Sequence, residues 1–152
     1  WTLTHNSDFA RGFIGLMGNS QAIGEAVQIM SCETLTWNQI YGTIAAALGV
    51  PLNAAHIASD FLARVGPYNF HGGLLGDKAH SVVFDTAKLK RLVPAFTPCV
   101  RFDQGVRETI AYILSHKEQQ REDPEFDAWC DRVIEAQERA LRELQEPQVP
   151  RY

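Results

Sequence analysis

The stretch Glu25–Leu48, EAVQIMSCETLTWNQIYGTIAAAL, constrains the fold of this chain more than any other. Ala26, Val27, Ile29 and Met30 form a brief apolar run of the kind found in a strand covered on both faces. After a tight link, Thr36 and Gln39 have the spacing of a capping box, in which each side chain meets the other's backbone N–H. Trp37, Ile40, Tyr41, Ile44, Ala45 and Leu48 follow at helical spacing and give one apolar face. Gly49 suits a left-handed close, and Pro51 blocks continuation. A strand feeding straight into a capped helix is the working unit of an α/β protein, and that architecture is the expectation.

The flanks read in the same way. Trp1–His5 is a strand candidate, followed by a helix capped by Asn6 or Ser7, with Asp8 in its first turn. Gly18 and Asn19 end that helix. Ala54–Ala58 and Ser81–Phe84 are further short strands. Ser59, Asp85 and Asp103 are predicted caps of three further helices, and a final one starts at Pro124, the favoured first-turn position for proline. Its stripe is Phe126, Trp129, Cys130, Val133, Ile134, Leu141 and Leu144, and the tail PQVPRY is expected to fray. Two parts are expected, 1–118 and a helical extension over 119–152.

Composition narrows the function. A net charge of −4, with no long basic run, argues against nucleic acid as a partner. The 3 cysteines are far apart and odd in number, which suggests neither a disulfide framework nor a zinc site. On that cysteine usage a reducing cytoplasm is the natural compartment; no apolar run approaches the ~20 residues of a membrane span, and no signal peptide is visible. The chain opens at Trp1, directly in a strand-like segment, and reads as cut inside a larger protein.

The least regular stretch is Tyr68–His80, YNFHGGLLGDKAH. A long loop that is neither polar nor repetitive is more often functional than a spacer. Gly72, Gly73 and Gly76 let its backbone approach a ligand, and Asp77 and Lys78 suit a phosphate or a sugar hydroxyl; a solvated loop pair explains them equally well. The spacing fails the GxxxxGK[ST] pattern, which excludes a nucleotide-hydrolysing phosphate loop. His71, Asp77 and His80 carry metal-ligand chemistry at irregular spacing, and no metal is assigned to them. His5, Asn6 and Ser7 form a polar cluster at a strand end, where α/β folds place ligands; capping is the plainer account of Asn6, but a satisfied core histidine is not the plainer account of His5. Arg101 precedes a helix, where it could meet a diphosphate or simply be solvated.

These segments, in this order, resemble the C-terminal half of an extended short-chain dehydrogenase/reductase of the NAD-dependent epimerase/dehydratase family. LTHNSDFARGF matches a V-H-V-x-D-x-A stretch at His5, Asp8 and Ala10, and FDTAKLKRLVPAF keeps Asp85, Lys88 and Leu92 of a D-x-S-K-x-x-x-L stretch. AIGEAVQIMSCETLTWNQI resembles the strand and capped helix between them, and GVRETIAY the closing helix, with Tyr112 in place of Trp. The family's glycine-rich cofactor loop and YxxxK pair are not in this chain.

The resemblance implies a substrate-binding lobe of a Rossmann-type α/β enzyme, with short strands and about six helices. It implies an oxidoreductase or isomerase that passes a hydride between NAD or NADP and a small-molecule substrate such as a nucleotide sugar. The cofactor would be held mainly by an N-terminal half of the same protein, the intact enzyme would be a homodimer, and no membrane partner is expected. On this reading the chain alone is inactive, no catalytic residue lies in it, and the substrate is held by His5, Asn6, Ser7, His71, Gly72, Gly73, Asp77, Lys78 and Arg101. The competing expectation is a non-catalytic module that senses a ligand or binds a protein on a dehydrogenase-like scaffold.

Overall fold

A computed structural model describes residues 1–145, and among them the regular structure is helical throughout. In chain order the α-helices are α1 (Asn6–Leu16), α2 (Trp37–Leu48), α3 (Ser59–Leu62), α4 (Ala87–Leu92), α5 (Phe102–Ser115) and α6 (Pro124–Gln145). Short 3-10 turns lie at Ser20–Ala22 and Lys117–Gln119, and a π-helical segment at His71–Asp77. The tail PQVPRY lies outside the described residues.

At α2, α4 and α6 the helix starts beside the local signal, whereas α3 begins at Ser59 itself after Ala58 and α5 begins at Phe102, one residue before the expected Asp103 cap. Gln39 N donates to Thr36 Oγ1 at 3.2 Å and Thr36 N donates to Gln39 Oε1 at 2.8 Å, closing the box that starts α2. Gly49 ends α2 at φ +73°, in the left-handed region that costs glycine least. Asp85 accepts from Ala87 N at 2.8 Å before α4, and Asp123 accepts from Phe126 N at 3.0 Å before α6. The start of α1 differs from expectation. His5, rather than Asn6 or Ser7, is the cap, and its Nδ1 lies 2.8 Å from Ser7 Oγ.

The strands do not form. Trp1–His5, Ala26–Met30, Ala54–Ala58 and Ser81–Phe84 are all irregular chain, with no sheet among the described residues. A strand requires a ladder of backbone bonds to a neighbour, and here other groups occupy those positions. Residues 1 and 35 exchange one reciprocal backbone pair, Leu35 N to Trp1 O at 2.8 Å and Trp1 N to Leu35 O at 2.7 Å. Further along, the Thr4 hydroxyl, not a carbonyl, takes Ser31 N at 3.0 Å. Lys88 Nζ donates to Ala26 O at 3.2 Å and to Glu25 Oε2 at 2.9 Å, tying the apolar run to α4 by a side chain.

This overturns the α/β expectation and the family resemblance built on it. A Rossmann-type short-chain dehydrogenase/reductase needs a sheet, and the described residues contain none. The substrate-binding lobe of an NAD(P)-dependent epimerase/dehydratase, the oxidoreductase or isomerase activity on a nucleotide sugar and the dehydrogenase-like scaffold of the competing expectation all fall with it. The expectation of NAD or NADP attached to chain upstream of Trp1, and the described residues do not bear on it.

The chain divides into two compact units, Trp1–Leu52 with Ser81–Gln120, and Asn53–His80 with Arg121–Tyr152. In the first, α2 packs along α5, and Ile40, Ala45, Leu89, Phe96 and Val106 are buried. Two glycines on α1 permit close packing against it. A Cβ at Gly12 would stand 2.6 Å from Ile29 Cγ2, and one at Gly15 would stand 2.4 Å from Val93 Cγ1. In the second unit Trp129 and Val133 of α6 are buried, and Tyr68, Phe70 and Phe126 surround the Trp129 ring at centroid distances of 5.1, 5.5 and 5.8 Å.

Candidate functional site

The first unit carries an open cavity of about 550 Å³ between α2, α5 and the chain leading into α1. Its walls are mostly apolar: Leu3, Ile40, Ile44, Val100, Phe102 and Val106. Trp37 and Tyr41 complete one side, and both rings remain partly open to solvent, 42% and 54% exposed. Trp37 stacks on Trp1 at 5.7 Å and sits 6.1 Å from Tyr41, so three aromatic rings run in series.

Arg101 and His5, at the rim of this cavity, are already engaged. Arg101 Nε donates to Asp103 Oδ1 at 3.0 Å, and its Nη2 lies 3.7 Å from Glu33 Oε1. The Asp103 carboxylate, then Glu33, hold the guanidinium above its ordinary range. The hydrogen bond from Arg101 in turn holds Asp103 below the usual carboxylate range, outweighing its partial desolvation. Glu33 also accepts from Phe102 N at 2.8 Å, fixing the start of α5. His5 spans two groups: Nδ1 faces Ser7 Oγ, and Nε2 lies 3.5 Å from Glu108 Oε2. Ser, His and Glu in series have the composition of a nucleophilic relay. Here, however, Nδ1 also receives Ser7 N at 3.4 Å as a helix cap, and Ser7 is not among the cavity walls. The arrangement holds the first turn of α1 and presents no nucleophile to the cavity.

Beneath this wall lies a fully buried carboxylate. Asp8 accepts from Cys99 N at 3.1 Å and from Val100 N at 2.9 Å, and it pairs with the Arg11 guanidinium. Burial pushes this carboxyl up, but the Val100 and Cys99 amides and Arg11 together hold it below the usual carboxylate range. It anchors residues 99–100, the segment that runs into α5, on α1.

The structure brings His5, Asn6 and Arg101 to one cavity, with Ser7 hydrogen-bonded behind His5. His71, Gly72, Gly73, Asp77 and Lys78 belong to the second unit. There Asp77 Oδ2 and Lys78 Nζ pair at 2.8 Å on the surface, and His71 N donates to Asn69 Oδ1 at 3.2 Å. A Cβ at Gly72, Gly73 or Gly76 would meet nothing within 4 Å, so these glycines relieve no crowding. No group of three His, Cys, Asp or Glu placed to hold a metal occurs among the described residues. No described helix is long and apolar enough to cross a membrane.

Sequence reasoning missed Trp37 and Tyr41 as cavity walls and Asp8 as an anchor. Helical spacing marks an apolar face but does not show whether that face is covered. Comparison of the chain with protein-family models, with curated proteins and with solved structures found no match.

Proposed function

We propose that the first unit is a binding module that takes a small, flat, largely uncharged ligand into the cavity between α2 and α5. The observation that carries this reading is an apolar cavity walled by partly open aromatic rings whose neighbouring charges are already neutralised. A volume of about 550 Å³ falls in the range of small-molecule clefts. A flat ring system would offset-stack on Trp37 or Tyr41 and displace water from Ile40, Ile44 and Val106. Arg101 is shared between Asp103 and Glu33, so an anionic ligand would have to displace one of those partners. Asn6 and Thr109 at the walls suit a single hydroxyl or carbonyl that fixes orientation.

The test is ligand-observed saturation-transfer NMR with indole and 2-naphthol, on the native chain and on Ile44→Trp, which fills the cavity. Transfer to both probes that Ile44→Trp abolishes, and that Tyr41→Ala weakens about tenfold, supports the reading. Equal transfer to the native chain and to Ile44→Trp, or none to either, overturns it.

A further inference from the structure

A second, smaller cavity of about 340 Å³ in the first unit is lined by Ser31, Cys32, Glu33, Pro98, Cys99, Val100 and Arg101. Its lining includes two cysteines that are 67 positions apart in sequence, on two segments held by separate contacts. Ser31 N is fixed on the Thr4 hydroxyl and Glu33 on Phe102 N, which places Cys32 between two pinned neighbours. Cys99 N is fixed on the buried Asp8 carboxylate. Both cysteines are exposed.

The Cys99 sulfur is held in place from two sides, and it also donates to Thr97 O at 3.3 Å. Arg11 Nη1 donates to its Sγ at 3.2 Å, while Nη2 of the same guanidinium holds Asp8. Exposed thiols are open to attack and exchange, whereas buried ones are inert. The remaining cysteine, Cys130, provides the contrast. It is half-buried in the second unit, and burial, then the Asp127 and Asp131 carboxylates, push its thiol up.

We propose that Cys32 and Cys99 form a thiol–disulfide exchange pair, in which Cys99 attacks a low-molecular-weight disulfide and Cys32 resolves the product. In the first step the Cys99 sulfur, its proton given to solvent, bonds to one sulfur of the incoming disulfide. That S–S bond breaks, and the departing thiolate takes up a proton. The adduct occupies the cavity. In the second step the Cys32 sulfur attacks Cys99 Sγ, the mixed disulfide breaks, and a second small thiol leaves. The two protein thiols are oxidised to one disulfide, and the external disulfide is reduced to two thiols.

The experiment treats the folded native chain with oxidised glutathione and reads intact mass, free thiols and non-reducing peptide maps. The expected product has lost two hydrogens, carries a Cys32–Cys99 bridge and keeps Cys130 as a free thiol. Cys32→Ser should instead accumulate a stable glutathione adduct on Cys99. In denaturant the selectivity should vanish, with Cys130 reacting alongside the others. An unreacted folded chain, a glutathione adduct that persists on the native protein, a bridge that includes Cys130, or the same product distribution folded and unfolded would each overturn the pair.

Discussion

The two units solve the same problem by different chemistry. The first is closed around a fully buried carboxylate: Asp8 holds the Cys99 and Val100 amides on α1, and Gly12 and Gly15 let side chains approach that helix. The second is closed around aromatic rings, with Tyr68, Phe70 and Phe126 gathered on Trp129. A polar centre fixes where each segment lies, because a buried amide left without an acceptor costs more than a misplaced methyl group. An aromatic centre gains from area and from edge and offset contacts, which tolerate more adjustment. The cavity with open aromatic walls lies in the unit with the polar centre. Asp8 fixes the Val100 backbone, and with it one wall of that cavity.

Breaking either centre separates the two cases. The largest effect is expected for Asp8→Ala, which takes the shared acceptor from two part-buried amides and the partner from Arg11, and should cost the first unit about 3–5 kcal/mol. Urea unfolding with hydrogen exchange should show protection lost at Val106 before Trp129. Gly66→Ala addresses the other centre. Gly66 has φ +79°, and a Cβ there would stand 2.0 Å from Trp129 Nε1. Left-handed strain and overpacking together should cost about 2–4 kcal/mol, read as lost protection at Val133.

Acid sharpens the comparison without a mutation. The Asp8 carboxyl lies below its ordinary value of 3.8 in the folded chain. Its contribution is therefore present in full above that value and is lost as pH falls through the lower, folded one. Titration from about pH 5 to about pH 2 should weaken exchange protection around Val100 and Val106 more than around Val133, and Asp8→Ala should remove the difference. The smallest effect is expected for Trp37→Ala. That ring is 42% exposed and stacks on Trp1 and Tyr41, so its removal should cost about 1 kcal/mol in denaturant unfolding.

Legibility in the sequence followed the range of the interaction. The Thr36–Gln39 box, the Gly49 close, the Asp85 turn and the Asp123–Pro124 start each depend on a few neighbouring residues, and each is present in the structure. The strands depended on a partner that no local pattern supplies. Ala26–Met30 reads as a buried strand, yet the Lys88 ammonium takes the carbonyl of Ala26, a residue 62 positions away. The family resemblance failed for the same reason: degenerate matches in order still left the ladder between segments unspecified. At the cavity, His5, Asn6 and Arg101 could be singled out because polar residues beside helix starts are conspicuous. Trp37 and Tyr41 could not, since an apolar stripe looks the same whether it is covered or open. Asp8 looked like a first-turn charge because its three partners include two amides more than 90 positions away.

The central claim is a helical protein whose apolar connecting segments are not paired into a sheet. It is tested most directly by backbone NMR shifts and amide exchange at Ala26–Met30 and Ser81–Phe84. The account predicts no run of strand shifts and rapid exchange at Val27, Ile29, Val82 and Val83. Continuous strand shifts with slow exchange across both segments, joined by cross-strand contacts, would contradict it.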